Sequence, residues 1–253
     1  MKKKYDVEYT IKCHRGLVRE INQDNFWCNG VFLECVNQGL KETFSGRTGI
    51  DSIPAFAVFD GLGGEVDGEK AAWLAASVFH EAAPFRLKKN PNEFLSETFE
   101  RMNDAICDFT LSNRISHMGT TAATLMFKDD KAFLCNLGDS RIYLFREGVL
   151  KRLSQDHVSN IKRSGKPYIS QFLGISEEEF KISPFFDEVE LKKGDKYLVC
   201  SDGLTDMLSE SEIESIVSVS DSAMRIAETL LESALSAGGK DNITVILCKI
   251  VGE

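Results

Sequence analysis

Hydrophobic and polar positions change period several times along the chain, and the order of those changes carries most of the structural information. Residues 5–13 alternate, with Tyr5, Val7, Tyr9 and Ile11 against Asp6, Glu8, Thr10 and Lys12, while residues 54–60 form an almost unbroken apolar run. Together with residues 24–34 they read as strands. A helical period follows twice. Ala71, Leu74, Ala75, Val78, Phe79 and Ala82 share one face of a first helix whose pattern starts at Glu65, and Leu95, Phe99, Met102, Ile106 and Phe109 share one face of a second. Four more strands are predicted at 120–127, 132–137, 141–145 and 149–153. Turns at Asp129-Asp130 and Glu147-Gly148, and short loops throughout, predict a meander of antiparallel neighbours. Further strands fall at 188–191, 196–200 and 243–250, separated by helices near 209–218 and 221–237, the first opened by a Ser209-x-x-Glu212 capping box.

Strands apolar on both faces need cover on both sides. With two helix pairs set between strand groups, the pattern predicts an α+β chain of two stacked antiparallel sheets flanked by helices. No repeat, low-complexity tract or linker divides the 253 residues, so 1–253 is read as a single domain. Irregularity is confined to 28–53, with Gly30, Gly39, Gly46 and Gly49, and to 154–185, with Pro167 and Pro184. Both are expected to be elaborated loops, and loops of that length are commonly functional.

Charge and cysteine usage narrow the partners. A formal net charge of −9 speaks against a nucleic-acid backbone as partner and for cations. The seven cysteines lack any Cys-x-x-Cys spacing and mostly sit in apolar strands, which suits reduced, buried thiols in a cytoplasm. The basic start, Met1 to Lys4, leads straight into an alternating strand, so neither a signal peptide nor a membrane span is expected.

The candidate chemistry lies where strands end. In "VFDGLGGE" an apolar run stops on Asp60 and is followed by Gly61, Gly63 and Gly64, which bare the backbone. Asp24 precedes an apolar stretch, Asp139 follows "FLCNLG", Asp202 follows "YLVCS" and Asp241 precedes "NITVILC". Each alone reads as a turn or helix-entry residue. Five such carboxylates brought together would repel unless cations sat between them.

Seven blocks, "GLVREINQDNF", "VFDGLGGEVDGEKAA", "GTTAATL", "NLGDSRIYLFREG", "LSQDH", "LVCSDGLTDML" and "KDNITVIL", span nearly the whole chain. In their order the chain resembles the metal-dependent Ser/Thr protein phosphatases of type 2C, in their compact bacterial branch. The resemblance implies a four-layer α-β-β-α sandwich with Mn²⁺ or Mg²⁺ in a cleft at one end, two ions with a possible third. It implies Asp60 as a bridging ligand, Gly61 as a carbonyl ligand, Asp202 and Asp241 completing the pair, and Asp24 holding it through water. Asp139, with Asp202, matches a third metal position, and Arg19 matches the phosphate-binding arginine. Thr120, Thr121, Asn242 and Ser201 match supporting positions around these ligands. The implied activity is hydrolysis of phosphoserine and phosphothreonine in proteins by a metal-activated water, without a covalent intermediate. Phosphoproteins made by a Ser/Thr kinase are the implied substrates. Leu62 stands where many members carry histidine, leaving no side-chain acid at that position, and the segment between His157 and Leu173 is shorter than in most relatives. Oxygen ligands suit Mg²⁺ or Mn²⁺ better than zinc, the four histidines show no ligand spacing, and Cys200 reads as a core thiol.

Two other classes compete with the enzyme. A catalytically silent binding module of the same fold would be expected to lose Asp60, Asp202 or Asp241, and all three are present. A two-metal nuclease or phosphodiesterase would want a basic groove, which the acidic balance does not favour.

Overall fold

The computed structural model describes residues 5–62, 67–163, 166–176 and 180–252. The strands are β1 Tyr5–His14, β2 Asp24–Cys28, β3 Phe44–Gly49, β4 Ala55–Asp60, β5 Ala122–Lys128, β6 Lys131–Leu137, β7 Arg141–Arg146, β8 Val149–Arg152, β9 Val158–Arg163, β10 Lys166–Ile169, β11 Phe185–Glu190, β12 Lys196–Cys200 and β13 Ile243–Gly252. The helices are α1 Gly68–Ala82, α2 Pro91–Asn113, α3 Asp202–Thr205, α4 Glu210–Val219 and α5 Ala223–Ser236.

Two antiparallel sheets stack face to face. One has six strands in the order β3-β1-β13-β12-β7-β8, the other five in the order β11-β6-β5-β4-β2. Strand alternation feeds two layers at once. In β4, Phe56 and Val58 point between the sheets, and Ala55, Ala57 and Phe59 point outward under α1 and α2. In β13, Ile246, Cys248 and Ile250 face inward, while Ile243, Val245 and Leu247 meet the apolar faces of α4 and α5. The result is the expected α-β-β-α sandwich. The Ser209–Glu212 capping box is present at the start of α4. No helix among the described residues is long and apolar enough to cross a membrane.

Four expectations need correction. Residues 28–53 are not all loop: β3 pairs with β1 as an edge strand, followed by a 3-10 turn over Ile50–Ser52. A Cβ on its Gly46 would lie 2.4 Å from the Tyr9 hydroxyl, so the glycine makes room for a ring rather than for a bend. The strand expected over 24–34 stops at Cys28, where Asn29 and Gly30 turn the chain with positive φ. The meander breaks after β6, because β6 and β7 lie in different sheets. Gly138, with φ of 103° and its α-carbon packed under Thr121, turns the chain across through Asp139 and Ser140. Within 154–185, β9 and β10 pair as a separate two-stranded hairpin. The onset of the first helix at Glu65 lies outside the described residues.

Candidate metal centre

Antiparallel pairing gathers the five aspartates at one end of the sandwich. Asp24 opens β2 and Asp60 closes β4, and the two are direct partners in the register. Asp139 sits in the crossover from β6 to β7, Asp202 opens α3 immediately beyond β12, and Asp241 precedes β13. Asp24 and Asp60 come from the five-stranded sheet, Asp202 and Asp241 from the ends of the two central strands, β12 and β13, of the six-stranded one.

Asp24 is the most enclosed, 1% exposed. Its Oδ2 accepts hydrogen bonds from Ser201 Oγ at 2.8 Å and Thr244 Oγ1 at 2.6 Å, while its Oδ1 is buried and accepts none. Burial pushes its pKa up to about 7 against the lowering effect of those two hydroxyls, and Asp241 and Asp202 raise it further. Asp60 reaches the cleft, yet desolvation first, and then Asp24, Asp202, Asp139 and Asp241, hold its carboxyl well above the usual range. Each of the other four carboxylates is therefore felt at Asp60.

Backbone and hydroxyl contacts fix these positions. Asp60 N–H donates to Thr121 Oγ1 at 3.2 Å, Thr121 N–H donates to the Asp60 carbonyl at 2.8 Å, and the Thr121 hydroxyl meets Ser140 Oγ at 2.7 Å. Gly61 N–H donates to the Gln23 carbonyl, and a Cβ on Gly61 would lie 2.3 Å from the Gly68 carbonyl oxygen, so no larger residue fits. Asn242 accepts from Gln23 N–H and donates to the carbonyls of Arg15 and Ile21, tying the Arg19 loop to the ligand strand. Thr120 turns its hydroxyl to the Thr121 carbonyl instead of toward the carboxylates. His157 straps the crossover: its N–H donates to the Gly138 carbonyl at 2.9 Å, and its Nδ1 receives Gly138 N–H at 3.2 Å.

Thr244 and Ser140 were missed in the sequence. A threonine inside an apolar strand reads as a strand former, although its place three residues after Asp241 was a usable signal. The pairing of Arg19 was also unforeseen. Nε and Nη2 of Arg19 donate to both oxygens of Asp241, at 2.8 and 2.7 Å, and Asp202 and Asp60 lie near enough to favour its charge.

An all-oxygen donor set with a buried, unengaged carboxylate oxygen and one arginine among five aspartates fits hard divalent cations. Among the described residues no three His, Cys, Asp or Glu side chains close around one point. A small hard cation that keeps several waters needs only one or two carboxylates, so this spread fits ions that complete their shells with water.

Known proteins resemble the chain closely enough to test the reading. Residues 44–242 match the sequence family described as Protein phosphatase 2C. The chain is 30% identical over 252 positions to serine/threonine phosphatase stp of Listeria monocytogenes, covering 92% of each protein. It is 34% identical over 234 positions to protein phosphatase PhpP of Streptococcus pneumoniae, covering 86% of this chain and 93% of that one. Among solved structures, the catalytic domain of serine threonine protein phosphatase PstP in complex with two manganese ions has a TM-score of 0.78 at 26% identity, covering 98% of this chain and 99% of that one.

Proposed function

The chain belongs to the protein phosphatase 2C family, and from that premise we propose how its own residues carry out metal-dependent hydrolysis of phosphoserine and phosphothreonine in proteins. One observation carries the assignment of the site: five aspartates from separate strand ends meet at one end of the sandwich, and the most buried of them leaves an oxygen unengaged. Asp60, Asp202 and Asp241 with the Gly61 carbonyl are the proposed direct ligands of two ions, Asp24 would support the pair through water, and Asp139 with Asp202 would offer a third position. Mn²⁺ is the proposed ion, with Mg²⁺ the alternative, on the oxygen donors and the manganese of PstP. Bound there, the cations supply a Lewis acid for the phosphoryl oxygens and a nucleophile from water at neutral pH.

The protein's own part is positioning. Ser201 and Thr244 fix one oxygen of Asp24 and leave the other buried and unengaged. Thr121 and Ser140 hold the backbone of Asp60. Arg19 offers a planar fork to two non-bridging phosphoryl oxygens, a role for which the two oxygens of Asp241 now stand in. No thiol is needed: Cys200 is fully buried and its pKa is pushed up to about 12, chiefly by desolvation. We further propose one catalytic domain across 1–253, a cytoplasmic location on the strength of seven free cysteines, and substrates phosphorylated by a Ser/Thr kinase.

The test is Asp202→Ala, assayed with a phosphothreonine peptide and titrated calorimetrically with Mn²⁺. Both turnover and cation binding are expected to disappear while the fold persists, since the substitution relieves like-charge crowding. Full turnover of this variant in chelator would sink the two-metal site.

A further inference from the structure

The loop that carries Arg19 also holds apolar side chains in water. Leu17, Val18 and Ile21 are 62, 65 and 46% exposed. Single exposed apolar residues are ordinary, but three within five consecutive positions form a patch. This loop is pinned. Asn242 Nδ2 grips the Arg15 carbonyl at 2.8 Å and the Ile21 carbonyl at 2.9 Å, Leu17 N–H donates to the Gly239 carbonyl at 2.7 Å, and Arg15 Nη1 donates to the Glu20 carbonyl at 3.2 Å. Gly16 lies so close beneath the loop's support that a Cβ there would be 2.1 Å from the Asp241 carbonyl oxygen. The apolar side chains are therefore held out at fixed positions beside the arginine.

Resting on the phosphatase reading and on Arg19 as the phosphate clamp, we propose that Leu17, Val18 and Ile21 form a docking shelf for the substrate side chains next to the phosphoresidue, selecting phosphopeptides with aliphatic flanks. Arg19 stands within the same pinned stretch, two residues from Leu17 and two from Ile21, so an occupant of the patch lies beside the arginine. A permanent partner there would close the site, and the occupant compatible with turnover is the substrate itself. Glu20, exposed on the same tip, sets a like charge against acidic flanks. Preformed apolar contact costs little ordering of the enzyme, so it acts mainly on ground-state binding.

Two phosphothreonine peptides that differ only in flanks, valine and leucine against serine and glycine, test the shelf, with p-nitrophenyl phosphate as a substrate that has no flanks. Wild type should favour the aliphatic peptide by about 5–20-fold in kcat/KM, through KM, the range set by one or two apolar contacts. Leu17→Ser/Val18→Ser should bring the ratio close to one, and Val18→Thr, which keeps the shape, should give an intermediate ratio. Both variants should turn over p-nitrophenyl phosphate like wild type. Equal rates for the two peptides in wild type, or a ratio that survives both variants, overturns the shelf and leaves the phosphatase reading standing. Self-inhibition that grows with enzyme concentration and vanishes in the double variant would assign the patch to a second copy of the chain instead. If wild type with Mn²⁺ cleaves neither peptide nor p-nitrophenyl phosphate, the phosphatase reading falls and the shelf with it.

Discussion

Arg19 sets two nitrogens of its guanidinium on the two oxygens of Asp241, at 2.8 and 2.7 Å. The group assigned to phosphate is thus engaged by a group assigned to a cation, and neither assignment can be satisfied while the pair persists. On the proposed assignments, cation binding and the release of Arg19 would be one exchange, with Asp241 given up to the ion and the fork freed for phosphate.

Arg19→Ala should therefore separate two effects. KM for a phosphopeptide is expected to rise about ten-fold or more from the lost bidentate grip. Mn²⁺ affinity should tighten slightly, because the competing cation is gone. The side chains of the pair are 39 and 24% exposed, and such pairs contribute at most about 1 kcal/mol, which limits the gain to about five-fold. Calorimetric titration of both proteins decides it. Weaker Mn²⁺ binding in the variant would make Arg19 an organiser of the carboxylates and not their competitor.

Gly61→Ala should damage the centre without removing a carboxylate. The added methyl would meet the Gly68 carbonyl at 2.3 Å and the Gln23 carbonyl at 2.7 Å, both backbone, so the strand end must shift. Overpacking of this kind costs about 1–3 kcal/mol. The expectation is a lower denaturant midpoint together with weaker Mn²⁺ binding. A midpoint and affinity equal to wild type would show that the strand end gives way freely.

If position 62 lies beside the leaving group, as the family resemblance implies, Leu62 would leave the departing alkoxide without a side-chain acid there. A Cβ placed on Gly119 would lie 2.5 Å from the Phe172 ring and 3.0 Å from Leu62 Cδ1, so the two side chains share an apolar corner. Turnover of phenyl phosphate, a poor leaving group, should be disproportionately slow against p-nitrophenyl phosphate. Leu62→His should narrow the gap and add a basic limb near neutral pH, where a histidine loses its donatable proton. An unchanged ratio across pH would place position 62 away from the leaving group.

His14 makes stability depend on pH. Burial, followed by the charges of Arg15 and Lys12, lowers its imidazole below the ordinary 6.5, and Nδ1 accepts Gly16 N–H at 2.9 Å, a bond that protonation would end. The unfolded chain takes up this proton at higher pH than the folded one. Its contribution is thus intact above 6.5 and is lost as pH falls through that value toward the lowered folded pKa. Urea midpoints at pH 8 and pH 5 should differ less in His14→Gln than in wild type. An equal difference in the two proteins would remove His14 from the acid response.

What the sequence made legible follows from where information is local. β4, β13 and the helices carry their own period, and the five aspartates stand out because an antiparallel sandwich brings alternate strand ends together. β3 was hidden because Gly46 serves a ring on β1 that no local pattern names. The crossover after β6 was hidden because a short Gly-Asp-Ser link looks the same whether it turns a hairpin or changes sheet. Arg19 and Asp241 are 222 residues apart, and a pairing at that distance leaves no trace in spacing.

The bond set around Asp24 joins two plates. Its strand belongs to the five-stranded sheet, and the hydroxyls that hold it, Ser201 and Thr244, belong to the six-stranded one. Stacked sheets of this kind can shear by a fraction of a side chain's width and remain folded, and at this end such a slip changes the spacing of Asp24 and Asp60 from Asp202 and Asp241 directly. The cation site is in this sense a gauge of interlayer alignment. A conservative change deep between the sheets, at Phe56 or Ile246, would register as altered ion affinity well before it registered as lost secondary structure.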